Sequence, residues 1–217
     1  MTPVTSDVNI SVDRSTCFVC GRCVERCIMD NLRLLVAPCR RACPLHMNCQ
    51  GYVRLIAQGK EEEAAQEMRR DTPFAGILGR VCSHPCEEEC ERRKEDRQAV
   101  HIRALKRYLA DRRPSATEAP PPAARPTGRR VAIVGSGPAG MTAAYTLAEQ
   151  GHAVTVYEAA PEPGGLLRYG IPAFRLPSEE TARAFRLLKG MGVVIETGRA
   201  LGKDLEIERL ETEWDAV

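Results

Sequence analysis

The C-terminal half of the chain opens on an apolar run, Arg130-Val-Ala-Ile-Val134, followed directly by Gly135-Ser-Gly-Pro-Ala-Gly140. Small and apolar residues then continue through MTAAYTLAEQ to Gly151, and a second apolar run, Ala153-Val-Thr-Val-Tyr-Glu158, comes next. This order predicts a buried strand, a tight turn, an amphipathic helix and a second strand, the start of an α/β sheet. Further along, a helix is expected from Ser178 to Lys189, with Ser178 as N-cap and Gly190 as terminator, and then a strand over Val193–Thr197. Ala216-Val217, after Glu213-Trp-Asp, read as the beginning of a further strand cut short.

The N-terminal half has a different texture. Gln50–Gln58 and Glu61–Arg70 carry helical patterns separated by Gly59. His101–Asp111 places Ile102, Leu105, Tyr108 and Leu109 on one helical face, with His101 and Lys106 pointing elsewhere. Residues 114–128, PSATEAPPPAARPTG, have no apolar periodicity and read as a semi-extended linker. The expected division is a cysteine segment over 1–36, a helical domain over 37–113, the linker, and an α/β dinucleotide-binding half-domain over 129–217. The fold class is therefore multidomain, a helical domain followed by a truncated Rossmann-like one.

Composition narrows the class. With 217 residues, 43% hydrophobic and 28% charged, the chain is ordinary for a soluble globular protein. A net charge of +2 gives no field that implies nucleic acid or an anionic membrane. There is no basic start followed by an apolar run, and nothing approaches the roughly 18 apolar residues needed to span a bilayer, so the cytoplasm is the expected location. Disulfides are disfavoured there. All ten cysteines nevertheless fall between Cys17 and Cys90. Cysteines so concentrated in a reducing compartment point to metal or cluster ligation.

The first group is Cys17-x-x-Cys20-x-x-Cys23-x-x-x-Cys27. A tight loop at this spacing can wrap three thiolates around a cluster, with Gly21 letting the backbone approach inorganic sulfide. It resembles half of a bacterial ferredoxin, except that Ile28 stands where proline usually follows the last cysteine. Zinc is the rival ligand for Cys-x-x-Cys pairs. The second group is Cys39-x-x-x-Cys43-Pro44, with Cys49 six residues on, and the third is Cys82-x-x-x-Cys86-x-x-x-Cys90. Spacing of this kind puts thiols on one helical face or around one turn. His46 and His84 flank these groups as candidate hydrogen-bond donors to cluster sulfur.

The run from Ala37 through Arg93, followed by VHIRALKRYLAD, resembles the N-terminal cluster domain of the glutamate synthase small-subunit family, which dihydropyrimidine dehydrogenase also carries. The resemblance implies two 4Fe–4S clusters among short helices, with a third kept open because ten cysteines exceed eight. It implies that Cys39 and Cys90 share one cluster with two upstream cysteines, and that Cys43, Cys82 and Cys86 hold most of the other. Two departures stand out. Eleven residues separate Cys27 from Cys39, and Lys106 stands where the family has a Gln or Glu ligand. An ammonium cannot ligate iron, so Cys49, an extra thiol, is the candidate replacement.

In the glycine segment, Gly135 permits the tight turn, Gly137 lets the backbone touch a pyrophosphate, and Gly140 lets helix pack on strand, with Ser136, Pro138 and Ala139 completing the loop. Glu158, 18 residues past Gly140, is placed to bind ribose hydroxyls. NAD and FAD share this fingerprint. The following EAAPEPGGLLRYGIPAFRLPSEE resembles the flavin-binding part of the same family, which implies FAD and gives Gly164, Gly165, Leu166 and Arg168 to its site. Arg168 could face phosphate or a carboxylate of the cluster domain. The resemblance implies an oxidoreductase subunit moving electrons between NAD(P)H, FAD and 4Fe–4S clusters to a catalytic or electron-accepting partner subunit. No substrate acid, base or nucleophile stands out. The alternatives are a non-catalytic cluster relay with an incomplete FAD half, and a zinc-binding structural domain fused to a nucleotide binder.

Overall fold

The computed structural model describes residues 37–112, 119–122 and 124–217. The Cys17-to-Cys27 motif therefore lies outside the described residues, as do most of the first half of the linker and the 1–36 boundary. The chain falls into two compact units. The first takes in residues up to Asp71 and then His84–Ile102; the second takes in Thr72–Ser83 and Arg103–Val217. The division does not follow the linker: the segment before Ser83 and most of the helix before residue 113 cluster with the Rossmann-like half.

In the first unit, α1 (Pro38–Ala42), α2 (Cys49–Ala57) and α3 (Glu61–Asp71) precede the short α5 (Pro85–Glu88) and α6 (Arg92–Asp96), with α4 (Ala75–Val81) belonging to the second unit. Helices α2 and α3 form a hairpin whose turn holds Gly59 at φ +72, a conformation that glycine adopts without steric cost. The hairpin buries Tyr52, Leu55, Ala64, Ala65 and Met68. Asn48 caps α2, its Oδ1 accepting from Gly51 N at 3.0 Å. Its Nδ2 donates to Glu67 Oε1 at 2.7 Å, and its own N–H donates to Asp71 Oδ2 at 2.9 Å. These bonds lock the start of α2 to α3.

In the second unit, β1 (Arg130–Val134), β2 (Ala153–Glu158) and β3 (Val194–Thr197) form a parallel sheet in that order. Helices α8 (Pro138–Glu149) and α10 (Ser178–Gly190) cover one face, where Val154 and Val156 meet Met141, Phe185 and Leu188. α4 joins this core through Ile77, and Phe74 stacks edge-on against Tyr145 at 6.0 Å. The other face carries Ala132 and Tyr157 with Leu205, Leu210 and Trp214, the last from the end of α11 (Ile207–Glu213). Successive residues of a strand point to opposite faces, which is why 154 and 156 separate from 155 and 157.

Four expectations change here. β1 is not a buried strand: only Ala132 is buried along it and Val134 is 41% exposed, because β2 pairs with it on one side while the other side is bridged by just the short Asp215–Ala216 stretch among the described residues. Ser178 is the first residue of α10 and makes no capping hydrogen bond; the capping position falls to Pro177. Gly190 ends the helix but does not reverse the chain, a task done by Gly192 at φ +87. In α7 (Ile102–Arg112) the buried positions are Ile102, Lys106, Leu109 and Ala110, while Tyr108 is exposed with the Arg112 guanidinium over its ring at 5.6 Å. The stripe therefore advances by four, seven and eight residues, and Lys106 lies inside it. Ala216 does pair with Val131 in parallel, as the strand-like reading of the C-terminal residues anticipates.

Candidate functional site

In the first unit the thiols converge because α1 packs beside α5 and α2 begins at Cys49. Cys49 is 1% exposed, at the first turn of α2. The bond to Cys49 brings the Cys39 thiol down to about 7 against the opposing effect of burial. Cys49 itself is pushed far up by its bonds to Cys39 and Cys86 and then by burial. Tyr52 is also raised, first by burial and then by the neighbouring sulfurs, and its hydroxyl donates to Ile102 O at 3.2 Å.

Cys39, Cys49 and Cys90 line a cavity of about 480 Å³ whose remaining wall is largely apolar, with Val53, Ala57 and Val100. A low-polarity pocket edged by several thiols is the donor set an iron–sulfur cluster requires, so these residues fit that group. Among the described residues, no three His, Cys, Asp or Glu side chains are placed to hold a single metal ion. Cys43 caps the end of α1, its N–H donating to Arg40 O. Cys82 caps α4 in the second unit, and its carbonyl accepts from Arg103 at 3.0 Å. His46 and His84 both adopt positive φ, 49° and 55°, which turns the chain sharply after Cys43 and between Cys82 and Cys86. His84 lies 3.6 Å from Glu87.

In the second unit the glycine loop is built of close backbone contacts. Gly135 has φ +98, and a side chain at Gly140 would place its Cβ 2.0 Å from the Gly135 carbonyl oxygen. The role expected of Gly140, close packing of helix on strand, is thus visible in the geometry. Gly137 caps α8, with Pro138 in its first turn, so the helix N-terminus opens onto the loop. Gly165, at φ +50, sits where a Cβ would fall 2.9 Å from Gly137 Cα, so the PGG turn rests on the phosphate loop itself.

Glu158 closes this arrangement. Its Oε2 accepts from Ser136 N at 2.9 Å and from the Ser136 hydroxyl, and its Oε1 accepts from Ala160 N at 2.8 Å. Ser136, fully buried, also accepts from Gly164 N at 2.9 Å. Burial would raise the Glu158 carboxyl, but the bonds from Ser136 and the 159–160 backbone outweigh it and hold it below the usual carboxylate value. Ser136 is thus the brace joining three segments, a role the sequence reading did not assign. The signal that could have shown it is a hydroxyl between the first two glycines of a loop facing an acid at the end of β2. Arg168 pairs with Glu162 and donates to Pro163 O at 3.2 Å, so its carboxylate partner lies in its own turn. Leu166, the first residue of α9 (Leu166–Tyr169), is 73% exposed beside it.

A family model for dihydropyrimidine dehydrogenase domain II, 4Fe–4S cluster, matches residues 5–118. The chain belongs to that family. A model for the NAD(P)-binding Rossmann-like domain matches residues 133–189 and covers the glycine loop, β2 and α10. The cluster-domain chain is 40% identical over 205 residues to the NADP(+)-dependent formate dehydrogenase subunit beta of Moorella thermoacetica, covering 84% of this chain and 29% of the relative. It is 39% identical over 184 residues to the NADPH-Fe(3+) oxidoreductase subunit beta of Geobacter sulfurreducens, covering 83% and 27%. To the glutamate synthase [NADPH] small chain of Bacillus subtilis it is 36% identical over 176 residues, covering 81% and 36%. The resemblance to the small-subunit family is therefore borne out, and the chain spans between about a quarter and two fifths of these three relatives' lengths. Among the described residues no helix is long and apolar enough to cross a membrane.

Proposed function

We propose that this chain is the cluster-and-flavin portion of an NAD(P)H-linked iron–sulfur flavoprotein oxidoreductase that delivers electrons to a partner subunit. The observation that carries the reading is the pairing, in one chain, of a thiol-edged apolar cavity in a matched 4Fe–4S domain with a braced phosphate loop in a matched dinucleotide domain. When bound, FAD would exchange an electron pair with a nicotinamide and 4Fe–4S clusters would carry the electrons singly. The residues proposed to hold two such clusters, a third being open, are Cys17, Cys20, Cys23, Cys27, Cys39, Cys43, Cys82, Cys86 and Cys90. Cys49 is proposed to stand among them, in place of the ligand that Lys106 cannot supply.

For the dinucleotide we propose that Gly135, Ser136, Gly137, Pro138, Ala139 and Gly140 present the pyrophosphate cradle and that Glu158 accepts from ribose while it braces the loop. Gly164, Gly165, Leu166 and Arg168 form the adjoining wall. Relatives named as beta subunits and small chains support a partner that takes the electrons, and the cytoplasm suits the unprotected thiols. The test is anaerobic purification followed by iron, acid-labile sulfide and flavin analysis of the same sample. Iron, sulfide and flavin together support the reading. Flavin alone overturns its cluster half, iron and sulfide alone make the chain a relay without a working flavin site, and zinc in a colourless protein removes the redox function.

A further inference from the structure

Ser136 lies fully buried between the first two glycines of the phosphate loop, and its hydroxyl makes two bonds of different kinds. Its proton goes to Glu158 Oε2, which leaves the oxygen lone pairs free to accept, and Gly164 N donates to them at 2.9 Å. The carboxylate therefore orients the hydroxyl that holds the PGG turn. Backbone contact reinforces the tie, since a Cβ on Gly165 would fall 2.9 Å from Gly137 Cα. A Cβ on Gly137, by contrast, would meet nothing within 4 Å, so the loop is open on the side proposed for the pyrophosphate. The two ends of this network depend on Ser136 unequally. Without the hydroxyl, Glu158 keeps two bonds, from Ser136 N at 2.9 Å and from Ala160 N at 2.8 Å. Gly164 N, a buried donor, loses the acceptor that it has among the described residues. An unpaired buried N–H is costly, so removal of the hydroxyl releases the turn and leaves the acid in place.

We propose that Ser136 is a positioning residue: its hydroxyl holds the PGG turn against the phosphate loop before any ligand arrives, and thereby gives the site its preference for a whole flavin dinucleotide over the adenosine diphosphate half. Adenosine diphosphate ends at the pyrophosphate and needs only the loop, the start of α8 and Glu158. The wall proposed for the rest of the dinucleotide, Gly164 to Arg168, is the part that Ser136 places. This inference rests on the flavin reading of the site, and the experiment separates the two.

Wild type, Ser136→Ala and Glu158→Gln, each freed of bound nucleotide, are titrated calorimetrically with FAD and separately with adenosine diphosphate, with circular dichroism to confirm folding. In Ser136→Ala the affinity for FAD should fall about tenfold or more, while that for adenosine diphosphate stays within about threefold. Glu158→Gln, which alters the ribose contact itself, should weaken both ligands alike. A Ser136→Ala protein that binds FAD as wild type does would overturn the proposal. So would loss of both ligands in equal proportion, which is what a merely structural role gives. If Ser136→Ala does not fold, hydrogen exchange at the Gly164 amide of ligand-free wild type decides. Protection comparable to the amides of α8 supports a turn held in advance, whereas exchange at the rate of an open turn overturns it. A wild type that binds neither ligand, or adenosine diphosphate alone, sinks the flavin reading, and the inference falls with it.

Discussion

In the Rossmann-like unit the candidate site is made of backbone, with Gly140 against the Gly135 carbonyl, Gly165 against Gly137, and Glu158 holding the Ser136 amide. In the cysteine unit it is made of side chains, the thiols of Cys39, Cys49 and Cys90 around a largely apolar cavity. The difference shows in what each site tolerates. A backbone cradle depends on the absence of side-chain atoms, so any added atom disturbs it. A thiol cage depends on sulfur at each position, so loss of one sulfur removes function while the helices can persist.

The largest expected effect follows from that contrast. Cys90→Ala should lose all the iron and sulfide of one cluster yet keep its dinucleotide affinity, measured on one sample by metal analysis and by fluorescence titration. Loss of both would show that the two sites are not independent in the way their construction suggests. Gly140→Ala should do the reverse. Its new Cβ would fall 2.0 Å from a backbone oxygen that cannot rotate away, so overpacking should cost about 1–3 kcal/mol or more in urea unfolding, with iron content intact.

Glu158→Gln comes next. The replacement puts an amide N–H₂ or a neutral oxygen opposite donors that served a carboxylate, and should cost about 1.5–3 kcal/mol. Because the Glu158 carboxyl is held below its ordinary value of 4.5, its contribution is complete above that value and fades as pH falls toward the lower folded one. Wild type should therefore lose stability on acidification below about 4.5, and Glu158→Gln should flatten that part of the pH profile. The smallest pair compares helix starts in the two units. Asn48→Ala removes a cap that is also bonded to buried Glu67 and should cost about 1–2 kcal/mol, whereas Ser178→Ala removes no capping bond and should change the melting midpoint little, within about 0.5 kcal/mol.

The dinucleotide loop was legible in the chain because its chemistry is local: glycines at fixed offsets, a strand before them and an acid at the end of the next strand. The hairpin of α2 and α3 was legible from periodicity and Gly59. What escaped reading depends on tertiary neighbours. Periodicity shows that one side of α7 is buried but not which, so Tyr108 and Lys106 exchanged places. Nothing in residues 75–81 distinguishes a helix that packs among cysteines from one whose Ile77 enters the core beside Met141 and Phe185. Ser178 resembles a cap by residue type, yet capping is a matter of backbone geometry, and here the helix has already begun. The convergence of Cys39, Cys49 and Cys90 on one cavity is likewise invisible in spacing, since Cys39 and Cys90 stand 51 positions apart in the sequence.

The path of the chain through its two units has a consequence for how such proteins can be taken apart. The polypeptide passes from one unit to the other after Asp71, after Ser83 and after Ile102, all before the proline-rich stretch. A single proteolytic nick within residues 114–128 would therefore not separate two beads on a string. The N-terminal fragment would still carry Ile77 and Phe74, pieces of the other unit's core, and the two fragments should stay together on a sizing column until denaturant is added. Recombining this cysteine unit with a different nucleotide-binding partner would require matching three crossings, which makes inheritance of the pair as one block easier than exchange of either half.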